Sequence, residues 1–371
     1  MQDIHHLAAI VTGSAFVLAA IFGAVASRVN YCTMGAISDV VNFGDSRRLR
    51  MWLLSVAVAI AGAGALQAAG LVDLSKTLYT GARVAWLSLA VGGFLFGFGM
   101  TLGSGCGSKT LIRIGGGNLK SLIVLVFVAI SAYMTLKGLF ALWRTAALDP
   151  VRFDITAIGA KASDLPSILT ALGAGGAALW FPFALAAALA AWTFASRDFR
   201  ATTEMVVGGI LIGAVIVGGF YVSGHLGYLA EDPATLEEKF VATNSGRIES
   251  FSFVAPIAYL LELLVYWTDQ SRVLTFGIAG VLGILVGSAA MSIATKTFRW
   301  EGFTTTEDLV NHVLGGVLMG FGGVTALGCT IGQGLSGLST LAVGSFLATA
   351  GIVIGCVAAL RYQMWRIERT G

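Results

Sequence analysis

Gly92–Cys106 reads GGFLFGFGMTLGSGC, and Gly315–Cys329 reads GGVLMGFGGVTALGC. The two stretches align without a gap at an offset of 223, with eight identities in fifteen positions, and both close on Gly-Cys. Each continues into a polar, glycine-rich tract, GSKTLIRIGGGN after Cys106 and TIGQGLSGLST after Cys329. Internal similarity of this kind marks a chain built from two copies of one unit. A fainter echo lies upstream, between SRVNYCTMGAISD (Ser27–Asp39) and GRIESFSFVAPIAY (Gly246–Tyr259). There Arg28 matches Arg247, Ala36 matches Ala255, and Cys32 falls opposite Phe251.

The surroundings of the repeat are apolar. Of 371 residues, 56% are hydrophobic and 12% charged, against about 25% charged in soluble domains. Glycine accounts for 49 residues, and glycine is commoner in membrane helices than in soluble ones. The expected fold class is therefore an all-α integral membrane protein, with the lipid bilayer as a partner. The net charge of +3 is small, and no Lys/Arg-rich block interleaved with aromatics points to nucleic acid. Cys32, Cys106, Cys329 and Cys356 form no Cys-x-x-Cys pair and no zinc spacing. They lie far apart, in or beside apolar segments, so neither a disulfide framework nor a metal or other cofactor is expected.

A helix needs about 20 predominantly apolar residues to cross a bilayer. Nine segments qualify: 7–27, 50–70, 84–100, 119–143, 167–195, 203–223, 272–292, 308–324 and 339–361. The first lacks a basic leader and is expected to be retained as a span. Four other stretches, 29–43, 101–117, 245–268 and 325–338, are short or rich in Gly, Ser, Thr or Asn. They are expected to enter the membrane and turn back; within 251–268, Pro256 and Glu262 argue against a crossing. With nine crossings most of the 23 basic residues fall on one side, while Glu231, Asp232, Glu237 and Glu238 fall on the other. The positive-inside rule then puts the N-terminus outside and the C-terminus in the cytoplasm.

This count gives the repeat its meaning. Residues 1–145 make a first unit of four spans, 146–200 a linker with one lone span, and 201–371 a second unit of four. An odd span between the copies inverts the second one. Inverted repeats hold their sites near the midplane, where the copies meet. Irregular backbone at that depth is tolerated only where protein or a water-filled cavity surrounds it. The four interrupted stretches are therefore expected to be paired re-entrant loops that converge.

The string GSGCGSKT at Gly103–Thr110 nearly spells a phosphate-binding loop, with Ser108 where the last glycine belongs. Such a loop follows a strand; here a membrane helix precedes it, and no βαβ pattern surrounds it. What remains is a glycine-rich turn carrying a thiol at membrane depth. Glycine lets the backbone approach a solute closely, and amides at the start of a half-helix receive an anion's oxygens. A thiol is soft, polarizable and a weak donor, which suits a solute bearing sulfur or selenium. Cys32, Cys106 and Cys329, each in a different loop, would form a column of S–H···S contacts, weak enough at every step to allow passage. Gly105 and Gly328 precede the repeated thiols. Thr330, Gln333, Asn30 and Tyr31 either touch the solute or cap half-helices. Lys109 either draws the anion at the inner mouth or snorkels from the basic side. Cys356, inside a clean apolar span, is expected to pack as a small hydrophobe.

On SRVNYCTMGAISD, GFGMTLGSGCGSKTLIR and GFGGVTALGCTIGQGLSG, the chain resembles the YeeE/YedE family of inner-membrane proteins over nearly its whole length. The resemblance implies a multi-pass protein of the bacterial inner membrane. It also implies an hourglass-shaped, pseudo-symmetric bundle of nine spans with four loops dipping to the centre. In it, Cys32, Cys106 and Cys329 would line the route and pass thiosulfate along by S–H hydrogen bonds. A small cytoplasmic sulfur carrier protein of the TusA type is the implied companion. The tract after Cys106 is more glycine-rich than in the thiosulfate members, and the family is also linked to selenium metabolism. The expected function is thus uptake of a small sulfur-containing anion, thiosulfate first, without enzymatic chemistry. A carrier of selenium compounds or sulfide would use the same pore. A membrane sulfurtransferase with a persulfide on Cys106 or Cys329 is the alternative of another class.

Overall fold

Helices carry almost the whole chain. The computed structural model describes residues 2–232, 235–303 and 305–370. Helices α1 (Gln2–Arg28), α2 (Thr33–Phe43) and α3 (Arg47–Ala68) come first. Then α4 (Trp86–Leu102) and α5 (Gly107–Gly115) form one broken apolar segment, and α6 (Leu119–Lys137) follows. Short helices α7 (Leu139–Trp143) and α8 (Leu165–Ala171) precede α9 (Gly175–Phe194) and α10 (Arg197–Ala201). The second half holds α11 (Thr203–Tyr221), α12 (Val254–Val265), α13 (Phe276–Ala294), α14 (Thr306–Thr325), a π-helical turn at Gly332–Gly337, and α15 (Val343–Thr370). Two antiparallel pairs, β1 (Arg83–Val84) with β2 (Phe153–Asp154) and β3 (Tyr228–Leu229) with β4 (Lys239–Phe240), tie surface loops.

Among the described residues, eight helical segments are long and apolar enough to cross a membrane: those built on α1, α3, α4–α5, α6, α9, α11, α13 and α15. The chain is an all-α membrane protein. Helix α14 has the length, 20 residues, but opens with Glu307, Asp308 and His312. Those side chains lower its hydropathy; Asp308 and His312 belong to the site described below, while Glu307 pairs with Arg366. The segment expected at 167–195 is two helices, because Gly173 (φ 87°) ends α8 in a left-handed turn.

Glycine contacts reveal how the halves meet. A Cβ on Gly92 would lie 2.9 Å from Gly322 O, and one on Gly322 would lie 2.6 Å from Gly92 O. Likewise Gly99 faces Gly315 O at 2.8 Å, and Gly315 faces Gly99 O at 2.7 Å. Gly315 and Gly322 are Gly92 and Gly99 displaced by the repeat offset of 223. So α4 and α14 cross antiparallel about a local two-fold axis, each presenting the same glycines to the other. The relation extends outward: Gly93 lies against the α15 backbone at Ala348 and Ile352, and its counterpart Gly316 lies against α6 at Val124 and Val128. Small residues are what let membrane helices approach this closely.

The re-entrant stretch at 245–268 contains the 12-residue α12, a half-helix. Glu262 on it is buried and paired with Lys137 at 2.7 Å and Arg272 at 3.0 Å, the pairing that a buried charge requires. Counting from helix starts changes the register of the fainter echo. Cys32 caps α2 and Phe253 occupies the cap position of α12, so Phe253, rather than Phe251, stands where the first copy has its thiol.

Candidate functional site

Asn30, Ser104 and Leu327 adopt φ of 55°, 56° and 57°, and each stands two residues before a cysteine. The next residue closes the preceding helix in the same way each time. The N–H groups of Tyr31, Gly105 and Gly328 donate to Ala26, Met100 and Gly323 O at 2.9, 2.8 and 2.8 Å. This is the Schellman termination, usually made with glycine in the left-handed position. A side chain there costs about 1–2 kcal/mol. Leu327 is also part-exposed, so Leu327→Gly is expected to stabilise the protein by about 1 kcal/mol, read as a thermal midpoint roughly 2 °C higher in detergent. An unchanged midpoint would show that Leu327 packing offsets the backbone cost.

The turn drops each cysteine onto the start of a new helix. Cys32 is the N-cap of α2, its Sγ accepting from the Gly35 amide at 3.3 Å. Cys106 is the N-cap of α5, with Sγ 3.3 Å from Ser108 Oγ. Cys329 Sγ accepts from the amide of Gly332, first residue of the π-helical turn, at 3.5 Å, and the Phe253 and Ile331 amides also face it. All three thiols are buried. Cys106 lies within electrostatic range of both Cys32 and Cys329. Unpaired amides and the positive helix end make each cap position favourable to negative charge.

Polar groups without partners gather around the thiols. Tyr31 OH, Thr33 Oγ1, Tyr79 OH, Thr330 Oγ1 and Gln333 Oε1 are buried, with no hydrogen-bond partner among the described residues. Each such group costs about 1–3 kcal/mol. Gln333 is held by its amide, which donates to Ala326 O. Phe253 fills the fourth position: it packs on Phe22 (centroids 6.0 Å) and stacks on Phe251 (6.3 Å). Cys356 is also buried, its Sγ accepting from Thr101 Oγ1 at 3.3 Å.

Two cavities approach the thiols from opposite faces. On the face where α1 ends, one of about 530 Å³ is lined by Asn30, Lys109, Arg113, Lys120, Arg299 and His312, among others. In it Lys109 Nζ donates to Asn30 Oδ1 at 2.6 Å and Arg113 to Ser104 O at 2.7 Å. Lys120 is paired with Asp308 at 2.6 Å. On the face where α1 begins, a cavity of about 110 Å³ ends at Leu327 and Gly328 and is lined by Tyr79, Arg144, Glu249 and Tyr259. Burial pushes the Glu249 carboxyl up to about 7, against hydrogen bonds from the Asn244 amide and the Ser245 hydroxyl. A third cavity of about 540 Å³, bounded by Gly64, Asp164 and Pro182, lies apart from the thiols.

A family profile described as sulphur transport matches residues 28–358. The chain belongs to the sulphur transport family. Among its relatives is a thiosulfate transporter, TsuA, of Spirochaeta thermophila, 25% identical over 342 residues that cover 90% of this chain and 94% of that one. Another protein of that name, from Escherichia coli, is 27% identical over 332 residues, covering 87% of this chain and 86% of its own.

In this member of the family, the residues singled out in the sequence converge on the three turns. Asn30, Tyr31, Gly105 and Gly328 form the turns themselves, Thr330 and Gln333 follow the second repeated thiol, and Lys109 lines the larger cavity. Arg28 does not join them; it is exposed and paired with Glu204 at 2.7 Å. Arg299, Arg144, Glu249 and Tyr79 escaped sequence reasoning. Tyr79 and Arg299 sit in loops, Arg144 opens a π-helical turn, and Glu249 lies opposite Asn30 in the fainter echo, where its residue type gives no signal.

Proposed function

We propose that the protein carries thiosulfate across the bacterial inner membrane into the cytoplasm, along a path lined by Cys32, Cys106 and Cys329. The carrying observation is that the same turn sets each of the three buried thiols at or just ahead of the start of a helical segment, between cavities opening to opposite faces. The two relatives named as thiosulfate transporters support the choice of anion. Each neutral thiol donates weakly to the anion's terminal sulfur or oxygens, the helix-start amides offset its charge, and no single step binds it tightly. Gly105 and Gly328 let it approach the backbone, and the unpartnered hydroxyl and amide groups of Tyr31, Thr330 and Gln333 complete its shell.

The cavity with Lys109, Arg113 and Arg299 is then the inner mouth. The positive-inside rule gives this orientation, with the N-terminus outside and the C-terminus in the cytoplasm. A small sulfur carrier of the TusA type would receive thiosulfate there. Residues 1–145 and 201–371 act as two inverted units, joined through the lone span within 146–200. A dianion entering against an inside-negative potential is opposed by about 2.3 kcal/mol per charge per 100 mV, so uptake draws on coupling or on consumption inside.

The test is reconstitution in liposomes, with labelled thiosulfate, selenite and sulfide offered to wild type and to Cys329→Ala. Thiosulfate uptake that the variant loses is the expected result. Uptake of selenite or sulfide alone would replace the substrate. A persulfide found on Cys106 or Cys329 by mass spectrometry, without flux, would replace transport by sulfur transfer.

A further inference from the structure

The smaller cavity holds two ionisable side chains outside the three turns. Arg144 and Glu249 both line it, and both lie within electrostatic range of Tyr259 in its wall. Arg144 Nε is buried and 3.6 Å from Asp149 Oδ2, too far for a hydrogen bond. The hydrogen bonds to the Glu249 carboxylate come from neutral groups, the Asn244 amide at 3.3 Å and the Ser245 hydroxyl at 3.2 Å. Neighbouring elements offer it little else. Glu262 on α12 is committed to Lys137 of α6 and Arg272 ahead of α13. Tyr79, from the loop before α4, faces Glu249 as a phenol. Ser223, after α11, bonds its backbone, while His225 is turned to Leu71 O and Tyr221. Arg247 lies by Gly81. An ionised Glu249 would repel an anion sharing so small a cavity, whereas a neutral carboxylic acid can donate to it.

Building on the transport reading above, we propose that this cavity is where the anion is first held, that Arg144 binds it, and that Glu249 must take up one proton from the same face before the anion is seated. Uptake is thereby tied to the proton concentration on that face. With the carboxyl at about 7, Glu249 is neutral below that pH and charged above it. Thiosulfate stays doubly ionised across this range, so the titration belongs to the protein.

Proteoliposome uptake of labelled thiosulfate at external pH of about 8 and about 6 tests this. One group titrating near 7 changes its neutral fraction about tenfold over that interval, and wild-type uptake is expected to rise by about that factor as pH falls. Glu249→Gln should transport at the wild-type low-pH rate at both values. Glu249→Asp should keep the pH dependence with its midpoint moved, which decides the matter if the Gln variant fails to fold. Arg144→Met should lower uptake about tenfold or more at both values. A Gln variant with the full wild-type slope, an Asp variant with an unmoved midpoint, or a wild type that transports without pH dependence overturns the proposal. No wild-type thiosulfate uptake at either pH would instead overturn the transport reading, and this proposal with it.

Discussion

Thiosulfate uptake is expected to fall between about tenfold and a hundredfold when Cys106 is replaced by alanine. A hydrogen bond to a charged group contributes about 1.5–3 kcal/mol, and at 1.4 kcal/mol per factor of ten its loss at one step of a relay gives that range. Cys106 is the sensitive position because it caps α5 directly after one of the three repeated turns. On the proposed path, removing it leaves the anion to pass between Cys329 and Cys32 with no sulfur to receive it. The contrast is Cys356→Ala. That thiol is just as buried and lies near Cys32 and Cys106, but it sits inside α15, away from any of the three turns, and accepts from Thr101, so uptake should stay near the wild-type rate. Equal losses in both variants would mean that the effect is packing, and the relay would have no support.

The second large effect concerns assembly. Gly322→Leu should abolish folded protein, seen as the absence of a monodisperse peak in detergent. A Cβ there would lie 2.5 Å from Phe96 N and 2.6 Å from Gly92 O. Both are backbone atoms of α4, so no side-chain rotation relieves the clash and the helices must part. Overpacking in a core typically costs about 1–3 kcal/mol; separating two helices along the shared axis costs more. Gly13→Leu is the control, since nothing lies within 4 Å of a Cβ at Gly13 on α1. A stable Gly322→Leu protein would show that the α4–α14 crossing does not hold the halves together.

Much of this was legible in the chain because the repeat and the packing use the same residues. Gly92, Gly99, Gly315 and Gly322 align in sequence and meet in space, and the closing Gly-Cys marks both turns. The apolar runs located most helices to within about six residues, while 167–195 overran the start of α9 by eight and 339–361 stopped nine short of the end of α15. The sequence could not give the register of the fourth loop. There the approach to α12 is extended rather than a Schellman turn, so no left-handed residue precedes Phe253 as Asn30 precedes Cys32. The span read at 308–324 is α14 (Thr306–Thr325), whose first turns carry polar groups, Asp308 and His312, that line the cavity on the face where α1 ends. Arg144 and Glu249 were illegible for a simpler reason. They come from segments far apart in the chain, and nothing in either segment signals the other.

Helix α9 buries little of itself, 17% of its most apolar window, and touches the bundle where Pro182 meets Gly64 and where Arg50 reaches Trp192 and Thr193. Its contribution is parity. On the proposed topology it returns the chain to the starting side, so that the second half threads the bilayer upside down. Any odd number of apolar crossings would serve as well, and an even number would set both halves upright and destroy the axis on which they pair. The identity of its side chains is therefore free to drift, while its presence as a single crossing is not.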